Sequence, residues 1–501
     1  MIDGILIGLA TVLTLQNVAL VLAGCAAGTI IGMLPGLGPI SAIALMIPVT
    51  YGFDPSSGMI LLAGVYYGAI FGGSTSSILI NAPGVAGTVA TAFDGYPMAV
   101  RGEAGKALAT AAWSSFVGGT VGAVLLLVAA PWLSGLALSF QSVDYFLMMV
   151  LGLTLVSAFA ARGEHLKALM MTFTGMMLAT VGTDLTAGVQ RYTFGRMDLI
   201  DGISFLLLAM GTFALSEALM MVLRTVTGSE TSRPRLTQLT LKLSEFRSLL
   251  PTLSRSSLLG FFVGVLPGAG ATIASFLSYG MEKAVTRQPE PPFGEGNLQG
   301  LAAPEAANNA ACTGSFVPLL TLGIPGSGTT AVLMGALVAY GIQPGPRLYV
   351  DEPEIFWSVI VSMYIGNLFL LALNLPLIPY LARLLSMPRR FLVPLIMFFS
   401  LAGVYLVSFN TFDLQLMLVV AICAVVLRIL NFPLAPLLLG FILGGMMEDN
   451  LRRALTISGG DLLSLLERPL TWSLLLLIGL ALFSPLLTAM SGKLVNRSRR
   501  G

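Results

Sequence analysis

The sequence predicts an all-α, polytopic integral membrane protein with about 10–14 transmembrane helices, some of them broken or re-entrant, and two internal repeats. Three observations predict it: a composition too poor in charge for a soluble protein, a series of apolar runs of spanning length, and a Gly/Pro-rich pattern that occurs twice.

The 501-residue chain is 56% hydrophobic and 10% charged, with a mean hydropathy of +0.89. An ordinary soluble domain is about 25% charged. A soluble protein of this length would divide into several domains, each needing a charged surface that this chain lacks. The 26 basic and 24 acidic residues leave a net charge of +2, which argues against nucleic-acid binding. Cys25, Cys312 and Cys423 are far apart in apolar stretches, so no disulfide framework is expected. With His165 the single histidine, His-based metal sites and His-containing catalytic triads are disfavoured.

A spanning helix needs about 20 mainly apolar residues. Candidate runs occupy 5–33, 38–53, 58–80, 107–131, 144–161, 167–188, 203–223, 256–280, 310–341, 355–382, 391–408, 411–430, 432–447 and 471–490. Several are too short, too long or too interrupted by Pro and Gly to be simple spans. The N-terminus carries Asp3 and no basic cluster, which is unlike a cleaved signal peptide. The polar insert from Arg224 to Arg255 and the tail with Lys493, Arg497, Arg499 and Arg500 are basic, and the positive-inside rule puts both in the cytoplasm. The expected divisions are a first transmembrane repeat over 1–225, a cytoplasmic connector over 226–255, a second repeat over 256–450, and a final helix with a basic tail over 451–501.

The repeats are visible as motifs. Gly32–Gly38 reads GMLPGLG and Gly264–Gly270 reads GVLPGAG, an offset of 232 residues. Gly73-Ser74 precedes Pro83-Gly84, as Gly314-Ser315 precedes Pro325-Gly326, and Thr88 and Thr329 follow each Pro-Gly. Proline removes a donor and breaks a helix, and glycine tolerates unusual dihedrals. Broken backbone at membrane depth is tolerated where it is buried in protein or lines a watery cavity, and half-helix N-termini there suit an anion. Corresponding broken segments in two repeats therefore point to the binding site of a secondary transporter. The competing reading is that the glycines only permit close helix approach, which is the reading adopted for the pairs Gly4/Gly8, Gly118/Gly122 and Gly440/Gly444.

Substrate-binding candidates follow from these clusters: Pro35, Gly36 and Gly38; Ser74, Thr75, Ser76, Asn81 and Gly84; Pro267, Gly268 and Gly270; Ser315, Pro325, Gly326, Ser327 and Thr329. Their hydroxyls, amides and freed backbone groups suit carboxylate oxygens. Ser77, Glu305, Asn308, Asn309 and Thr330 are candidates for a small cation. Back-bonding of Ser and Thr to the preceding turn is the alternative for the hydroxyls. For Glu305 it is a place in the first turn of a helix begun by Pro304. No firm metal site and no catalytic residue is assigned. GIPGSGTT has Thr329 where a P-loop needs lysine, so ATP hydrolysis is not expected. Asp94-Gly95-Tyr96-Pro97 reads as a turn, with a gating role as the alternative, and 286–300 carries no signal.

At these residues the sequence resembles a known family. GMLPGLGP, YYGAIFGGSTSSILINAPG, DGYPMA, GVLPGAGATIASF, APEAANNAA and PLLTLGIPGSGTTAVLMGAL resemble the large membrane (permease) subunit of tripartite tricarboxylate transporters, the TctA family, over roughly residues 20–450. The resemblance implies a multi-pass protein of the bacterial inner (cytoplasmic) membrane working with a small four-helix membrane subunit and a periplasmic solute-binding protein. It implies import of a tricarboxylate, dicarboxylate or aromatic carboxylate by symport with a cation, Na+, and no other cofactor. It also implies a transport domain that moves against a scaffold. A passive anion channel and a membrane-embedded enzyme are the competing functions. The lipid bilayer is the expected surrounding, and nucleic acid is not an expected partner.

Overall fold

The structure, a computed structural model, describes residues 1–482 apart from 35–36, 82, 159–164, 185–186, 224–238, 268–269, 382–388 and 462–467. The basic tail and much of the expected connector lie outside the described residues. The protein is helical almost throughout. Among the described residues the strands are Gly182–Thr183 and Gln190–Arg191, an antiparallel pair. Seven described helices are long and apolar enough to cross a membrane by length and composition, and six shorter apolar helices accompany them. The chain is an all-α polytopic membrane protein.

Two compact units form. One holds residues 1–135 and 204–426, the other 136–203 and 427–501. Compactness and repetition therefore divide the chain differently. In the second unit, Gly440 of the helix Ala435–Ile457 approaches the Thr172 carbonyl of the helix His165–Ala179 with no room for a side chain. Buried Asp144 accepts hydrogen bonds from Arg468 and the Gln141 N–H. Arg452 bridges Asp184 at 2.8 Å and Glu448 at 2.7 Å. These pairs satisfy charges within the unit, and Asp144 in the first turn of its helix, Ser142–Ala158, is favourably placed toward the helix dipole.

The first unit holds the repeated motifs. Helix α1 (Leu15–Met33) ends where the chain turns extended at Leu34, and α2 (Gly38–Thr50) begins at Gly38 with a left-handed φ of +57°. Helix α3 (Pro55–Ile80) begins with Asp54 accepting the Ser57 N–H at 3.0 Å and Pro55 at its first position, a favourable start. Its residues Ser56–Leu79 are all buried. A helix apolar on every face belongs inside a bundle, and its small residues let neighbours approach: Gly28 and Gly32 of α1 lie against the carbonyls of Val65 and Ala69. A 3₁₀ turn (Ala86–Thr88) then leads into α4 (Val89–Met98), and α5 (Ala104–Ala137) follows.

The same course recurs beyond the connector. Helix α6 (Leu243–Val265) ends at an extended Leu266, and α7 (Gly270–Val285) begins at Gly270, with φ +59°. Helix α8 (Leu298–Gly314) is capped by the Asn297 side chain, which accepts the Gln299 and Gly300 N–H groups. Helices α9 (Phe316–Leu322) and α10 (Gly328–Ala339) follow. Gly260 and Gly264 of α6 meet the carbonyls of Ala307 and Ala311, as Gly28 and Gly32 meet Val65 and Ala69. Three local expectations are corrected. The predicted connector is helical from Leu243 onward, because Glu245 accepts the Lys242 N–H and starts α6. Asp94–Pro97 is not a turn but part of α4. Pro304 lies inside α8, so Glu305 is at mid-helix rather than in a first turn.

Candidate functional site

Each repeat contains two breaks, and their caps and glycine contacts correspond in register. The first break keeps the offset of 232: Leu34 and Leu266 are extended caps whose N–H groups reach the Ile31 and Val263 carbonyls. The second runs at an offset of 242. Asn81 (φ +50°) and Gly323 (φ +68°) are left-handed caps whose N–H groups reach the Ser76 and Pro318 carbonyls. Gly72 meets the Thr29 carbonyl as Gly314 meets that of Phe261. Gly72-Gly73 therefore matches Gly314-Ser315, one residue from the pairing that the motifs alone suggest, and Thr88 matches Thr330 rather than Thr329. The ten residues by which the offset grows lie between Gly270 and Ser315.

Within each repeat the two breaks touch. A Cβ on Gly38 would lie 3.7 Å from the Gly84 carbonyl, and one on Gly270 would lie 3.8 Å from Ser327 Cβ. Gly84 sits against Gly32, and Gly326 against Ser315 and Gly264. Pro35, Gly36 and Gly268 lie outside the described residues. Pro267 is half-buried, and Pro325 is buried.

The hydroxyls divide into two groups. Several knit the breaks themselves. Ser76 Oγ donates to the Gly73 carbonyl and accepts the Gly84 N–H at 3.1 Å. Ser77 donates to Thr88 at 2.8 Å, so it stands with the break and not beside Glu305. Ser327 and Thr330 cap α10 reciprocally. Ser315 donates to the Cys312 carbonyl and stands 3.4 Å from Tyr66 Oη. Thr329 is buried in the first turn of α10. Asn81 is exposed and acts through its backbone as a cap. Ser76→Ala leaves the buried Gly84 N–H without its acceptor, a loss of about 1–3 kcal/mol. The solubilised chain should melt at a lower temperature, and an unchanged midpoint would refute this role.

The second group converges on Glu305, which is fully buried. Ser74 Oγ of α3 lies 2.8 Å from both carboxylate oxygens, Ser115 Oγ of α5 donates to Oε2 at 2.8 Å, and Thr91 Oγ1 of α4 donates to Oε1. Close approach makes the convergence possible. Gly118 leaves no side chain between α5 and the Ala306 carbonyl, and Gly87 lies against Asn308. Asn308 is buried with both amide atoms lacking a partner. Asn309 donates back to the Glu305 carbonyl at 3.0 Å. Ser74, Thr75, Ser115 and Asn374 line an adjoining cavity of about 10 Å³, room for one water-sized sphere. Among the described residues no lysine, arginine or histidine pairs with Glu305, and no three His, Cys, Asp or Glu residues cluster as metal ligands.

Thr91 and Ser115 were missed in the sequence, since isolated hydroxyls in apolar helices usually bond their own preceding turn, and Asp94 reads there as part of a turn. Asp94 is buried, and its Oδ1 accepts the N–H groups of Gly294, Gly296 and Asn297 at 2.9, 2.9 and 2.7 Å. Arg101 donates to the carbonyls of Glu295 and Gly296. The stretch that carried no sequence signal is thus fastened to α4 and to the turn after it.

Buried helix breaks, repeated and brought together inside a multi-pass bundle, are the build of a membrane transport protein. The chain belongs to the tripartite tricarboxylate transporter TctA family, whose model matches residues 18–439. It is 45% identical over 481 residues to an "uncharacterized 52.8 kDa protein" of the TAR-I ttuC' 3' region of Agrobacterium vitis, covering 96% of this chain and 95% of that one. A second protein of that organism, from the TAR-II ttuC' 3' region, is 46% identical over 216 residues, 43% of this chain and 89% of its own. No solved structure matches.

Proposed function

We propose that this chain is the large permease subunit of a binding-protein-dependent secondary transporter in the bacterial inner membrane. It imports a carboxylate-containing solute together with a cation, Na+. A small four-helix membrane subunit and a periplasmic solute-binding protein, implied by the family, work with it. The observation that supports this reading most is the pairing of the breaks. The turn at Ala86 starts a helix whose N-cap, Val85, offers no side-chain acceptor, and Asn308 stands beside it with a free amide. A buried, unclaimed amide beside such a turn suits carboxylate oxygens without a fixed positive charge. An anion held this way is released more easily than one in a buried ion pair.

Uptake of radiolabelled carboxylate into proteoliposomes tests it. Accumulation should require the binding protein, the small subunit and an inward cation gradient. Accumulation that persists after the gradient is collapsed but needs ATP would overturn the proposal. Currents far above transporter turnover in a planar bilayer would favour a channel.

A further inference from the structure

The two repeats are alike in backbone but not in what they carry at one depth. At the offset of 242, Glu305 corresponds to Ala63, Ser74 to Phe316, and Thr91 to Leu333, all buried. Asn308 corresponds to Tyr66, whose ring lies 5.8 Å from that of Phe316. One place is therefore lined by a carboxylate and hydroxyls, and its counterpart is filled with aromatic and aliphatic side chains. An ionised carboxylate removed from water with no cationic partner is costly. Three hydroxyls from three helices offset part of that cost by donating to it, yet each hydroxyl oxygen keeps lone pairs. Two carboxylate oxygens and three hydroxyl oxygens make an all-oxygen set, the donor type hard cations take. The small cavity against Ser74 and Ser115 gives that set room to adjust.

We infer that Glu305, Ser74, Thr91 and Ser115 form a single alkali-cation site, taking Na+, that the duplicated chain holds once and not twice. The inference rests on the symport reading and gives the coupling ion a place. Asn308 follows Glu305 by three residues on the same helix face, so about one helical turn separates the cation from the amide beside the turn at Gly87. An anion there and a cation at Glu305 offset one another's charge, which ties the binding of each to the other. Ser77, Asn309 and Thr330 are left out of the site, since their side chains are engaged with Thr88, the Glu305 carbonyl and Ser327.

The test uses the full-length purified chain and a thermal titration with NaCl against choline chloride at constant ionic strength. The wild type should be stabilised saturably by Na+. Glu305→Gln should abolish the response. Thr91→Val and Ser115→Ala should each weaken the apparent Na+ affinity by about 10- to 100-fold, and they carry the test if Glu305→Gln fails to fold. Ala63→Ser, at the apolar counterpart, should leave the response unchanged. A wild-type response in Glu305→Gln or in both hydroxyl variants would overturn the inference, as would a wild type that responds to pH but not to Na+. Proteoliposome uptake separates the two levels. Wild-type uptake that needs Na+, with the same Na+ dependence in these variants, overturns the site and leaves symport standing. Uptake independent of any cation gradient, with Na+ binding lost in Glu305→Gln, overturns symport and leaves the site standing.

Discussion

Gly84→Val should abolish both a monodisperse solubilised chain and transport. A Cβ at Gly84 would lie 2.0 Å from the Gly32 carbonyl oxygen and 3.2 Å from Gly73 Cα. Both obstacles are backbone. Gly32 cannot retreat, because it is itself packed on the Ala69 carbonyl. Overfilling a core costs about 1–3 kcal/mol where side chains can shift. Here none can, so the loss should exceed about 3 kcal/mol, a large share of total stability. Gly84→Ala should already melt lower. The matching residue is more forgiving. A Cβ on Gly326 would meet Ser315 Cβ at 3.0 Å and the Gly264 carbonyl at 3.2 Å, so Gly326→Ala should keep a monodisperse profile. Size-exclusion profiles of the variants check the ranking. Equal profiles for Gly84→Val and wild type would mean that the breaks do not pack as described.

That asymmetry marks how far the sequence could be read. The broken helices were legible because Pro and Gly carry their meaning locally, through a missing donor and a missing Cβ. The caps Leu34 and Leu266 and the left-handed Gly38 and Gly270 accordingly stand where the motifs put them. The second break was legible only to within one residue. Its register is set by which carbonyl Gly72 or Gly314 leans on, a tertiary fact. The hydroxyl cluster at 74–77 announced itself by density, but density did not say that Ser74 turns to Glu305 while Ser76 and Ser77 turn to their own loop. Thr91 and Ser115 come from helices far along the chain and had no local mark. Nor did Asn81, whose polar side chain suggested a ligand although its left-handed backbone places it at an exposed cap.

Asp94→Ala should release the segment between α7 and α8 and disable transport through a residue outside the break itself. The Asp94 carboxylate is the shared acceptor of three N–H groups at Gly294, Gly296 and Asn297. Asn297 then caps α8 with its side chain, and α8 carries Glu305 and Asn308. The order of causes runs from one buried carboxylate to a loop, from the loop to a cap, and from the cap to the position of Glu305 and Asn308. Removing the acceptor strands three N–H groups, each worth about 1–3 kcal/mol when buried and unpaired, so destabilisation of about 3 kcal/mol or more is expected. Asp94→Asn should fall between, since the amide oxygen still accepts but without charge, and its NH2 would occupy the side where Asp94 Oδ2 has no partner. Limited proteolysis reads the loop directly. Cleavage between residues 287 and 296 should accelerate in Asp94→Ala, moderately in Asp94→Asn, and least in Arg101→Gln, whose contacts are to carbonyls at a more exposed place. If Asp94→Ala resists protease and transports like the wild type, the loop is held by something other than this carboxylate. If it is cleaved faster yet transports normally, α8 keeps its position without the cap, and the route from Asp94 to Glu305 is broken at Asn297.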